Sequence, residues 1–163
     1  MRSSYAEYFS ALLASVGMTI QFHGDACIRL TGKTSAGEFT VLLDPYDAKA
    51  TGLKAIRPSA VDLVCSTNGV LPEFEGGPYC ITGPGEYEVR GVGVVGIPVG
   101  VTTVYRLEAE GLSVAHLGNL AVPLPADVVD RLGDVDICIV PVGGKSVLTA
   151  KQAAEAIAQV EPR

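Results

Sequence analysis

Residues 61–73 read VDLVCSTNGVLPE. A short β-favouring run (Val61, Leu63, Val64, Cys65) breaks at Ser66-Thr67-Asn68-Gly69 into a polar, glycine-containing loop. A buried strand that feeds such a loop is where an α/β protein commonly mounts its reactive groups. This loop offers an amide, hydroxyls, two apolar residues, a proline and one carboxylate, Glu73. It contains no histidine, no cysteine and no second acid. The functional question turns on that vacancy.

Upstream, the pattern from Met18 has a period of two, with Ile20 and Phe22 on one face and Gln21 and His23 on the other. Strands are predicted at 27–31 and 39–43, the latter stopping at Asp44-Pro45-Tyr46, so 18–43 is a β-meander. Residues 47–60 carry no strong period and read as a connector. Downstream, Gly76-Gly77-Pro78 opens a second β-rich section with strands at 79–82, 86–90 and 92–97. A hairpin then joins 103–109 to 112–116 through Glu110-Gly111, a good two-residue turn. Helices alternate with strands only after it: a short helix at 125–132, an apolar strand at 135–142, and a helix at 149–160. That last helix opens on a T-x-x-Q capping box, Thr149 and Gln152.

Residues 1–17 form a separate appendage in this reading, with 18–163 as the domain proper. Tyr5, Tyr8, Phe9, Leu12, Leu13 and Val16 recur at the spacing of one amphipathic helix face. With 163 residues the chain is the size of one domain and long enough to bury a core. Its net charge of −6, with Lys and Arg scattered singly, leaves no basic stripe to neutralise phosphates and argues against nucleic-acid binding. The four cysteines (Cys27, Cys65, Cys80, Cys138) have no CxxC spacing and read as core hydrophobes in a reducing cytoplasm. No apolar run approaches the ~20 residues needed to span a membrane. The N-terminus also lacks a signal-peptide layout, so the expected location is cytoplasmic.

Six stretches, in order, carry a family likeness: FHGDACIRL (22–30), VLLDPY (41–46), VDLVCSTNG (61–69), GPGEYEVRGVGVVGI (83–97), AHLGNL (115–120) and VDICIVPVGG (135–144). The chain from Met18 onward resembles the short bacterial metallo-β-lactamase-fold hydrolases, the group similar to the ascorbate-phosphate lactonase. The resemblance implies an α+β fold, a four-layer αβ/βα sandwich with a dinuclear metal site at one edge of two sheets. It also implies symmetric multimers. The family's loop pattern is T-H-x-H-x-D-H; aligned on Thr67 and Gly69, this chain has Asn68, Val70, Pro72 and Glu73 at the four ligand positions. Zinc takes imidazole nitrogens or carboxylates at about 2.0–2.2 Å, an amide is a poor ligand, and valine and proline are none. The family's bridging aspartate in H-L-G-D corresponds to Asn119 of His116-Leu117-Gly118-Asn119, and the early G-H motif has Asp25 in place of its histidine. A final histidine-bearing strand is expected after the last helix, beyond Arg163.

Two histidines remain. His23, Asp25, Asp44 and His116 are candidate ligands of a mononuclear site for one divalent ion, zinc or manganese, with Glu73 as a further carboxylate. The preferred expectation is that these residues line a filled-in cleft and no cofactor is held. Cys65 has no histidine–acid pair spaced to act as its base. Gly143-Gly144-Lys145-Ser146 echoes only the end of a phosphate loop, and Gly83-Pro84-Gly85 reads as a turn. The resulting expectation is a catalytically degenerate binding or assembly module. It would be a homo-oligomer or a protein partner's subunit, joined through residues 5–16 and an open C-terminal sheet edge. The alternatives are a residual metal-dependent hydrolase of an ester, lactone or phosphoester, and a fragment completed by another chain.

Overall fold

The computed structural model describes residues 17–56, 60–73 and 76–163. The expected appendage helix lies outside them but for its last residue. Five strands form the first sheet: β1 (Thr19–Gly24), β2 (Cys27–Thr34), β3 (Gly37–Leu43), β4 (Leu63–Cys65) and β5 (Tyr79–Ile81), lying side by side in chain order. β1–β3 are the antiparallel meander, whereas β4 joins β3, and β5 joins β4, in parallel. The second sheet runs β10-β9-β8-β7-β6, from β6 (Gly85–Val89), β7 (Val92–Val99), β8 (Thr102–Ala109), β9 (Leu112–His116) and β10 (Ile137–Ile139). Only the β9–β10 pair is parallel in that sheet.

Period-two patterning explains how the layers stack. Phe39, Val41 and Leu43 of β3 point into the sandwich and meet Tyr105 and Leu107 of β8, while Leu42 points outward to Cys27 and Val64. Outside the second sheet lie α2 (Ala126–Leu132) and α3 (Ala150–Val160), which bury Val128, Leu132, Ala153 and Ala156 against Ile97, Val104 and Ala115. Fully burying one such Leu or Val side chain contributes roughly 1.5–3 kcal/mol. Helix α3 carries the expected reciprocal capping box between Thr149 and Gln152. At Glu110-Gly111 both residues have positive φ, 53° and 76°, the twist a two-residue hairpin needs. Among the described residues no helix is long and apolar enough to cross a membrane.

Three expectations are corrected. The connector at 47–60 contains a four-residue helix, α1 (Ala48–Thr51), which Asp47 caps by accepting from the Lys49 N–H. α1 buries none of its residues, and the outer side of the first sheet is covered by Tyr46, Ile56, Val61 and Leu71 packing on Cys27, Leu42 and Val64. The apolar run 135–142 forms a strand only at Ile137–Ile139, which pairs with Val114–His116 of β9. Ile20 and Phe22 share a face, but they are 37% and 67% exposed: β1 is the sheet's edge strand, and among the described residues neither side chain is buried.

Candidate functional site

The carboxyl ends of β3 and β4 and the end of β9 converge at one edge of the sandwich. β3 delivers Asp44, whose φ of 43° turns the chain sharply away. β4 delivers Ser66 and Thr67, and β9 ends at His116, held between Tyr105 on β8 and Ile139 on β10. A hydrogen-bonded cluster joins the two sheets here. The Thr67 N–H donates to Asp44 Oδ1 at 2.7 Å, the Thr67 hydroxyl donates to Oδ2 at 2.8 Å, and His116 Nε2 lies 2.8 Å from the same Oδ2. Asp44 and His116 are both buried, at 7% and 1% exposure. Thr67 Oγ1 also accepts from the Asn119 N–H at 3.4 Å, so its own proton is committed to Asp44. With Asp44 ionised, both of its oxygens accept, and the proton between Asp44 and His116 is then assigned to His116 Nε2. Among the described residues His116 Nδ1 is buried with no hydrogen-bond partner, a deficit that costs about 1–3 kcal/mol.

The second sheet clamps the 66–70 loop at two further points. The Thr103 N–H donates to the Thr67 carbonyl at 2.8 Å, and the fully buried Tyr105 hydroxyl donates to the Ser66 carbonyl at 3.0 Å. Burial pushes the Tyr105 phenol well above its usual range, which keeps it a donor. Gly118 approaches so closely that a Cβ there would sit 2.2 Å from Thr67 Cγ2 and 2.6 Å from Asp44 Oδ2. Thr67, Tyr105 and Gly118 were not singled out as site residues by sequence reasoning. Their parts depend on contacts between sheets, and only the glycine in HLGN hinted at one.

A cleft of about 440 Å³ opens at this edge. Phe22, Ala26 and Ile28 wall it on one side, with Ile139, Val142 and Val147 on the other. Its polar lining is Asp25, His116 and Asn119. A hollow of about 520 Å³ lined by Met18, Lys33, Phe39 and Glu110 lies at the opposite ends of the strands, away from this cluster.

The predicted site residues separate. Asp25 and His116 share the cleft, and Asp44 is held beneath it. His23 lies elsewhere, in a hollow with Arg29, Tyr46 and Lys54, where burial and then the Arg29 charge lower its pKa. Glu73 is exposed, as is Val70, and Pro72 is half-buried. Asn68 builds the turn: its Oδ1 accepts from the Val70 N–H at 3.0 Å and lies 2.8 Å from Ser66 Oγ. Among the described residues no three His, Cys, Asp or Glu side chains gather as a metal-binding group. The mononuclear set His23, Asp25, Asp44 and His116 is thus not assembled, because His23 faces a separate surface and Asp44 is engaged by Thr67 and His116. These residues do not fit the family's dinuclear centre either, since amide, valine and proline stand at its ligand positions. Cys65 is fully buried, and burial and then the Asp44 charge raise its thiol pKa far above the usual range, the reverse of an activated nucleophile.

Residues 19–163 match the family described as Beta-lactamase superfamily domain. The chain belongs to that superfamily. A metal-dependent hydrolase of Thermococcus onnurineus is 29% identical to it over 91 residues, 48% of this chain and 41% of that protein. The superfamily chain therefore spans well under two thirds of that relative's length. Among solved structures, a Thermotoga maritima protein provisionally described as a Zn-dependent hydrolase of the metallo-β-lactamase superfamily superposes with a TM-score of 0.75. It is 28% identical, over 90% of this chain and 72% of its own. A Parabacteroides distasonis protein, also provisionally described as a metal-dependent hydrolase, gives a TM-score of 0.64 at 16% identity, over 89% of this chain and 79% of its own. That second likeness concerns the fold alone. The expected α+β metallo-β-lactamase architecture is thus borne out.

Proposed function

We propose that this superfamily member is a binding module whose cleft at the His116 edge works without a dinuclear metal centre. The observation that carries this reading is the fate of the ligand positions. Asn68 is spent on the turn, Val70 and Pro72 have no donor atoms, and Asn119 gives its backbone N–H to Thr67. Glu73 at the fourth position is exposed, and the buried pair at this edge, Asp44 and His116, is engaged with itself as a strut between the sheets. What remains is a cleft with apolar walls and a few polar groups in its lining, the common form of a small-molecule site.

A second reading is favoured by the names of the relatives, which are metal-dependent hydrolases. On that reading one divalent ion is held and the chain hydrolyses an ester, lactone or phosphoester. Metal content of untagged protein, measured by mass spectrometry after dialysis without chelator, separates the two. Below about a tenth of an equivalent of any divalent transition metal, with no turnover of ester, lactone or phosphoester probes, the binding module stands. Near one equivalent, with metal and turnover both lost in His116→Ala, the hydrolase reading replaces it.

A further inference from the structure

We propose that the cleft at the His116 edge takes a small, mostly apolar, uncharged molecule bearing a hydroxyl group, which bonds to His116 Nδ1. The inference rests on the reading that the cleft works without a metal. His116 lines the cleft, is 1% exposed, and turns Nε2 to Asp44, so Nδ1 is the nitrogen left without a partner. In an uncharged ring Nδ1 is an acceptor; in an imidazolium it is a donor. A hydroxyl answers either state, because it both donates and accepts.

The rest of the ligand follows from the walls. Ile28, Ile139 and Val147 offer hydrocarbon and no polar side-chain groups, while Phe22 and Val142 leave 67% and 61% of their surface open at the mouth. An apolar body bound there would remove that surface from water. The Asp25 carboxylate lines the same cleft, and the chain carries a net charge of −6, so a carboxylate or phosphate ligand is opposed. A neutral alcohol is the class that fits all three features. The cleft, about 440 Å³, lies within the roughly 300–1,000 Å³ of small-molecule sites.

The test is a titration of the full chain with benzyl alcohol, toluene and benzoate in the presence of chelator, following histidine ring ¹⁵N and side-chain methyl resonances. With only two histidines in the chain, His116 and His23 are readily told apart. Benzyl alcohol is expected to bind saturably and about tenfold tighter than toluene, the increment of one hydrogen bond. The His116 Nδ1 signal should move and that of His23 should not, with Ile139 and Val147 methyls shifting together. Benzoate should bind at least about tenfold more weakly than benzyl alcohol, by charge opposition. Val147→Trp, which fills the cleft, should abolish binding. Phe22→Ala at the exposed mouth provides a milder variant and should weaken binding about fivefold through lost contact. Equal affinity for benzyl alcohol and toluene, a stationary His116 Nδ1, or shifts confined to the Met18–Phe39 hollow would overturn the proposal. Metal is measured on the same preparation before chelation. A full equivalent there counts against the metal-free function, whereas failure of benzyl alcohol counts against this ligand class alone.

Discussion

Replacing Gly118 by alanine tests whether the edge of the sandwich is as rigid as its hydrogen bonds imply. The new Cβ would lie 2.2 Å from Thr67 Cγ2, 2.3 Å from Thr67 Oγ1 and 2.6 Å from Asp44 Oδ2. Thr67 Cγ2 is a terminal methyl, but it can move away only if Thr67 shifts or rotates against its bonds to Asp44. Thr67 Oγ1 and N–H both bond to Asp44, and Oδ2 also receives His116. The φ of +54° adds about 1–2 kcal/mol of backbone strain for any residue with a Cβ. Displacing Thr67 forfeits its two hydrogen bonds to a carboxylate, about 1.5–3 kcal/mol each. The total, about 4–8 kcal/mol, rivals the 5–15 kcal/mol that typically holds a domain together. At about 2–4 °C per kcal/mol for a chain of this size, the midpoint should fall by at least roughly 10 °C. Thermal unfolding followed by circular dichroism reads this directly. Gly52→Ala is the control: its φ is +70°, but nothing lies within 4 Å of the added Cβ, so it isolates the backbone strain. That variant should lose only about 2–8 °C. Adding Thr67→Ser to Gly118→Ala removes the closest methyl and should recover part of the loss. If Gly118→Ala unfolds within a few degrees of Gly52→Ala, the loop slides aside freely and the strut argument fails.

Other expectations follow from single contacts. Tyr105→Phe deletes the hydroxyl that donates to the Ser66 carbonyl, and should cost about 1–2 kcal/mol while speeding amide exchange in the 66–70 loop. Unchanged exchange there would show that the clamp is idle. In thiol labelling of the native chain, exposed Cys80 should react first. Cys27 and Cys138, whose thiols burial pushes up to about 12 and about 11, should follow far behind, with Cys65 last. Equal rates at Cys65 and Cys80 would contradict the buried setting. Asp136 accepts from the Ser113 N–H and then its hydroxyl, which hold its carboxyl below the ordinary 3.8. A depressed carboxyl stabilises above its unfolded pKa and loses that contribution as pH falls through the folded value. Asp136→Asn should therefore lower stability at pH 7, with the gap to the parent closing below about pH 4; a gap that stays constant down to pH 2 would refute the assignment.

The parts of the fold legible in the sequence were those fixed by neighbours in the chain. Alternation placed Phe39, Val41 and Leu43 on one face, and turn chemistry placed the hairpin at Glu110-Gly111. The Thr149–Gln152 capping box likewise needs only a spacing of three. The family pattern located the strand-to-loop junction at Cys65-Ser66 correctly, because β4 and its loop are contiguous. Less was legible where the answer depended on another strand. The apolar run 135–142 announces burial, but which of its residues form β10 depends on pairing with β9, a strand more than twenty positions upstream. Alternation likewise could not show that Ile20 and Phe22, on the sheet's edge strand, stay exposed among the described residues. At the site, Asp44 and His116 were flagged for their chemistry, but their contact spans 72 positions in sequence and joins two sheets. No spacing rule reaches that far, so the same residues that read as possible ligands are found bonded to one another.

That contact also bears on what a metal ion would meet at this edge. A metal bound at His116 Nε2 or Asp44 Oδ2 would have to displace the hydrogen bond between them, and at Oδ2 that from the Thr67 hydroxyl as well. At about 1.5–3 kcal/mol for each bond to a charged group, forfeiting two would weaken such a site by about 10²- to 10⁴-fold relative to free donors. At this edge His116 Nδ1 is a ring nitrogen without a partner among the described residues, and the family's four loop positions provide an amide, a valine, a proline and the exposed Glu73 carboxylate. A single imidazole nitrogen falls short of the three protein ligands that catalytic zinc usually takes. It can, however, hold one hydroxyl at the floor of an apolar cleft. The strut that makes this edge a poor metal cage is therefore what fixes the orientation of the ring, and with it where a ligand's polar group must sit.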